Sequence, residues 1–115
     1  MNKQTILMIL ILYISSFSIF AGSGTFTFNQ IGVVREGTLV YGIVQLEGLL
    51  PTVPTCANGF SHQLTFLISG DHGKLLYSNA LIAVTAQKKV WLTYSDTDCG
   101  WAGTRPVSDR IDIQK

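Results

Sequence analysis

The chain is short of charge, of proline and of the residues that do redox or metal chemistry. Charged residues make up 13% of it, Lys+Arg 8 against Asp+Glu 7, and it holds Pro 3, Cys 2 and His 2. So balanced a charge makes no broad field to steer it toward nucleic acid or an anionic membrane, and both partner classes are set aside. No Gly-x-Ser-x-Gly turn is present to mount a nucleophilic serine, and no Gly-x-x-x-x-Gly-Lys-Ser/Thr loop to cradle phosphates. The greasiest stretch, Ile6 to Phe20, runs for about 15 residues, under the ~20 that a membrane-spanning helix needs. Zinc would have to recruit His62 and His72 to Cys56 and Cys99 at irregular spacing, so neither a metal site nor a cofactor is expected.

What is present begins with an export pattern. Met1-Asn2-Lys3-Gln4-Thr5 is a short polar start with one lysine, Ile6 to Tyr13 is apolar but for the tyrosine hydroxyl, Ile14 to Phe20 continues it through serines, and Ala21-Gly22-Ser23-Gly24 offers small residues for cleavage. This predicts a signal peptide over 1–21, cut after Ala21, and a single mature domain over 22–115 that is secreted or periplasmic, with no membrane attachment once the leader is gone. Lys3 leaves with the leader, so the mature charge is neutral. In an oxidising compartment Cys56 and Cys99 are expected to pair within the chain, adding about 3–4 kcal/mol by restricting the unfolded state. An intermolecular bridge and two buried thiols are the alternatives.

Hydrophobic spacing gives the order of elements. Thr25-Phe26-Thr27-Phe28 alternates and Ile31-Gly32-Val33-Val34 continues it, which predicts one long strand with a bend or bulge at Gly32. Gly37 supplies a tight hairpin into Leu39 to Leu46, a second strand that is apolar on both faces, as in a doubly covered sheet. Gly48, Pro51, Pro54, Asn58 and Gly59 break any regular element between Glu47 and Phe60. A third strand follows over His62 to Ile68. Leu76, Ala80, Ala83, Val84 and Gln87 share one helical stripe, extended by Tyr77 and Leu81, and predict an amphipathic helix over Gly73 to Gln87 with Asp71 as N-cap. Val90 to Tyr94 reads as a fourth strand. A fifth opens at Pro106, and its faces sort only if a bulge shifts the register near Asp109 or Asp112.

Three strands, one helix and two strands in so short a chain resemble the OB-fold, a mainly β, partly open Greek-key barrel with one helix. Several local features carry the resemblance further: Gly37-Thr38-Leu39-Val40 after the first strand, a cysteine before the third, and Asn79-Ala80-Leu81-Ile82-Ala83-Val84-Thr85-Ala86 leading through Lys88-Lys89 into Val90-Trp91-Leu92-Thr93-Tyr94, then Cys99. This texture resembles a group of small exported bacterial proteins and is similar, more distantly, to the receptor-binding B subunits of five-membered-ring AB toxins such as subtilase cytotoxin. The resemblance implies a homo-oligomeric ring and a surface site for a glycan.

Candidate chemistry is sparse. Ser61-His62 and Asp71-His72 have the residue types of a hydrolytic triad without its spacing. Asp96-Thr97-Asp98 alternates carboxylates as calcium loops do but lacks the rest of the loop, and Gly70, Gly73 and Lys74 suit a helix entry better than a phosphate loop. Trp101, beside Cys99 between Gly100 and Gly103, is a candidate ligand contact through its indole face, and Tyr94 is a second through its hydroxyl. Equally, Trp101 could cover the disulfide or cap the barrel. The expectation is a small, exported, non-catalytic module that binds a glycan. The alternative is a structural or inhibitory protein that acts through a protein partner.

Overall fold

The computed structural model describes residues 22–115; the leader expected over 1–21 lies outside them. Strand β1 spans Gly22–Glu36, β2 Leu39–Leu46 and β3 Gln63–Leu67; helix α1 spans Gly70–Thr85, followed by β4 Lys89–Tyr94 and β5 Arg110–Ile113. The strands form one sheet in the order β3-β2-β1-β4-β5, and its ladders are all antiparallel. The chain is therefore mainly β and OB-fold-like, with the expected order of elements. Between β3 and the chain ahead of β5 there is a single parallel bridge, Thr65 to Val107, so the sheet curls without closing.

β1 is long because it serves two partners. Gly22 to Thr27 pair with β4, and Phe28 to Glu36 pair with β2. The irregularity lies at Asn29, between Phe28 and Gln30, and not at Gly32 as the sequence suggested. Its place follows from the change of partner. Phe26 and Phe28 face the core before it, and Ile31, opposite Val44, faces the core after it, so the extra residue flips the alternation and turns Gln30 outward. The hairpin closes at Gly37, whose φ of 61° suits a residue without Cβ.

β2 departs from the expected double cover. Gly42, Val44 and Leu46 are buried, whereas Tyr41 and Ile43 are half-buried and Leu39 is exposed. Leu64 and Phe66 of β3 join the first set, and the core continues through Val90, Leu92 and Tyr94 of β4 and Ile111 of β5. The helix starts three residues earlier than periodicity predicted. Ser69, not Asp71, is the N-cap by backbone geometry, and Asp71 sits in the first turn, where a carboxylate complements the helix dipole. Gly73, Leu76, Ala80 and Ala83 form its buried stripe, and Leu81, expected to extend it, is exposed. The small residues let the helix lie close against the sheet.

β5 is shorter than the expected strand from Pro106. The Ser108 hydroxyl bonds the Arg110 carbonyl at 3.2 Å and accepts from the Arg110 N–H at 3.4 Å, a local turn that ends the pairing of Pro106–Ser108 with β3 and starts that of Arg110 with β4. Among the described residues no helix is long and apolar enough to cross a membrane.

Candidate functional site

The outer face of β1, β2 and β3 carries the site, because the inner face is consumed by the core. Register sets its rows. Gln30 lies opposite Gln45, and Gln45 opposite Gln63, so three glutamines from three strands form one line across the sheet. The next row is Gly32, Ile43 and Thr65, and the one after it Val34, Tyr41 and Leu67. With neighbouring strands ~4.8 Å apart, the glutamine row is about 10 Å long. A groove of about 130 Å³ runs along it, lined by Gln30, Gly32, Ile43, Val44, Gln45 and Gln63. The lining carries no charged side chain. Gly32 matters here for what it leaves out: any side chain would rise between Gln30 and Val34 and fill the floor.

The loop between β4 and β5 folds back over the far rows of this face and is tied down in three ways. Cys56 and Cys99 are joined in a disulfide with a Cα–Cα distance of 6.3 Å, which realises the intrachain pairing over the alternatives. Arg105 stacks its guanidinium 3.8 Å from the Phe60 ring centroid and 4.5 Å from that of Trp101. Its Nε donates to Gln63 Oε1 at 3.0 Å and its Nη1 to the Thr104 hydroxyl at 2.7 Å. Finally, the Glu36 carboxylate at the hairpin end accepts the Ala102 N–H, and Ala102 has a left-handed φ of 56°. Beneath the loop, Thr65 is fully buried and donates its hydroxyl to the Pro106 carbonyl at 3.0 Å. Gly100 approaches so closely that a Cβ there would meet Thr65 Oγ1 and the Tyr41 ring.

The two aromatic candidates are thus placed very differently. Trp101 is half-buried, with one ring face given to Arg105, whose Nε reaches Gln63 of the groove. Tyr94 is a correction to the sequence reading: it is 1% exposed and belongs to the core cluster. Its ring fills the space over Gly22, where a Cβ would overlap it. Trp91, on the opposite side of β4, is the outward residue and lies under Arg110 at 5.0 Å.

The remaining candidates are dispersed. His72 Nε2 lies 2.8 Å from the Asp109 carbonyl oxygen at the start of α1, while His62 leads into β3. Ser95 Oγ accepts the N–H groups of Thr97 and Asp98 at 3.1 and 2.9 Å, so Asp96-Thr97-Asp98 is part of a hydroxyl-capped turn. Among the described residues no three His, Cys, Asp or Glu side chains gather as metal ligands. Phe60, Gln63 and Arg105 were not singled out by sequence. The one signal was Arg105 four residues after Trp101, since a planar cation beside an aromatic residue commonly stacks on it.

Arg105→Ala removes two ring contacts and the hydrogen bond that orients Gln63, and is expected to cost about 1–2 kcal/mol. Arg105→Lys keeps the charge but loses the planar stack, so it should recover less than half of that in the urea midpoint. An unchanged midpoint in Arg105→Ala would show that the stack does not hold the loop.

Compared with protein-family models, curated proteins and solved structures, the chain matches none.

Proposed function

We propose that the chain is an exported, non-catalytic binding module that takes an uncharged glycan in the groove of Gln30, Gln45 and Gln63. The row of three glutamines in register carries this reading. A sugar ring presents adjacent hydroxyls that each donate and accept, and a primary amide is a side chain that offers both roles without charge. Three amides at strand spacing meet such hydroxyls in turn, over a floor kept open by Gly32 and made apolar by Ile43. The face also agrees with the fold, because OB-folds present the outer surface of strands two and three to oligosaccharides and oligonucleotides. The neutral lining favours the first of these. The disulfide, with the leader pattern ahead of it, supports export to an oxidising compartment.

The secreted chain, applied to a glycan array, is expected to give a restricted set of bound neutral glycans and a weaker signal from each of them in Gln45→Ala. Removing the middle amide should weaken binding by about fivefold, the worth of one hydrogen bond, with the urea midpoint unchanged. Bound sugar should also shift Trp101 fluorescence through the Gln63–Arg105 contact. Silence across the array, or full binding by Gln45→Ala, would overturn this reading.

A further inference from the structure

A second cavity lies at the end of the β1–β2 ladder far from the Gly37 turn. It measures about 370 Å³ and is lined by Thr27, Phe28, Asn29, Glu47, Val84 and Gln87. Three segments build it, two of them irregular at that point. β1 contributes the bulged Asn29. The chain after β2 contributes Glu47, whose N–H donates to the Thr27 carbonyl at 2.9 Å and so fixes it against β1. The end of α1 contributes Val84 and Gln87. There the Lys88 N–H reaches the Ala83 carbonyl at 2.9 Å and the Gln87 N–H the Val84 carbonyl at 3.4 Å, with Gln87 at a left-handed φ of 53°. Glycine is the usual residue in that closure, and a side chain there costs about 1 kcal/mol. What glutamine adds at that cost is an amide on the cavity wall.

The lining is acceptor-rich. Glu47 supplies its one formal charge, the amide oxygens of Asn29 and Gln87 and the Thr27 hydroxyl supply further acceptors, and the adjoining helix C-terminus adds partial negative charge. Lys88 and Lys89 are exposed and outside the lining, where solvent and salt screen them. Val84 gives a small apolar patch, and Phe28 behind it is nearly all buried. One carboxylate is too few for a hard divalent cation, which takes about six or more oxygens, and the space is an order of magnitude larger than the ~30 Å³ of a water.

We propose that this cavity binds an alkylammonium group, its head at Glu47, Asn29 and Gln87 and its methylene stem along Val84. The group comes either from a lysine side chain of a partner protein or from a free aliphatic amine. The cavity adjoins the glutamine groove but shares no lining residue with it, so the inference does not rest on glycan binding.

Nitrogen-labelled mature chain, titrated with n-butylamine, n-butanol and a blocked Gly-Lys-Gly tripeptide, separates the outcomes by amide chemical shift. Saturable shifts centred on Asn29, Glu47 and Gln87 are expected with the amine and the tripeptide and not with the alcohol. Glu47→Gln, an exposed and isosteric change, should weaken the amine by about tenfold, the worth of a charge-assisted hydrogen bond. Gln87→Gly should raise the thermal midpoint and at the same time weaken the amine, a pairing that a purely structural Gln87 would not show. Tighter binding of the tripeptide than of butylamine assigns the ligand to a protein; the reverse assigns it to a free amine. An equal response to butanol, no saturable response, or unaltered affinity in Glu47→Gln overturns the proposal.

Discussion

Cys56→Ser with Cys99→Ser is expected to lower the unfolding free energy by about 3–4 kcal/mol, a drop in Tm of roughly 15–25 °C for a domain this size. The bond spans a sequence separation of 43 residues, so breaking it releases a long loop in the unfolded chain. In the folded chain the loss concentrates on the β4–β5 loop. Without the bond that loop keeps the Arg105 stack, the Glu36–Ala102 contact and the two backbone bonds of Thr65, its N–H to the Pro106 carbonyl and its carbonyl from the Ser108 N–H. Urea unfolding of wild type with and without reductant, beside the double serine variant, measures the effect. Hydrogen exchange should show first opening at Cys99–Arg105, and a midpoint within error of wild type would mean that the remaining contacts hold the loop alone. Since the loop bounds the glutamine groove through Arg105 and Gln63, the same variant should weaken any groove ligand even where the barrel stays folded.

The order of elements, the helix stripe and the cysteine pair were legible because each is written in local spacing or composition. Leu76, Ala80 and Ala83 repeat at helical intervals, and the strands carry alternation that a propensity argument can follow. What spacing could not carry was partner identity. The bulge sits at Asn29 because β1 there leaves β4 for β2, and a lone strand sequence does not record its neighbours. Alternation separated Trp91 from Tyr94 but could not say which faced inward; Gly22, opposite Tyr94 on the paired strand, makes the room that admits it. The candidate groove was invisible for the same reason. Gln30, Gln45 and Gln63 are ordinary polar residues in three separate strands, and only the register of β1 on β2 and of β2 on β3 aligns them. Trp101 was visible as an aromatic in a disulfide-bearing turn, but its commitment to Arg105 depends on Phe60, which reaches it from a different loop.

Gly73→Ala is the substitution for which propensity and packing predict opposite signs. In an exposed helix interior alanine is worth about 1 kcal/mol over glycine, so Ser78→Ala, on the exposed side of α1, should gain a few tenths of a kcal/mol. Gly73 is buried in the first turn, and a Cβ there would lie 2.5 Å from the Leu67 carbonyl oxygen and 2.9 Å from the Ile68 Cα. Both obstacles are backbone at the end of β3, so no side-chain rotation relieves them and the helix itself must move. Overpacking costs about 1–3 kcal/mol, and obstacles that are backbone put this site at the upper end, so after the propensity gain of about 1 kcal/mol the net loss is near 2 kcal/mol for alanine and more for valine. The displacement should also be felt along the helix. Gln87 stands 14 residues on, about 21 Å at the helical rise, so tilting α1 at Gly73 shifts the Val84–Gln87 wall of the alkylammonium cavity against Glu47. Thermal unfolding with a butylamine titration therefore reads both ends of one helix. The expected pair is a Tm roughly 10 °C lower and a weaker amine affinity. A higher Tm in Gly73→Ala would mean that helix and strand are not in the contact that sets the position of α1.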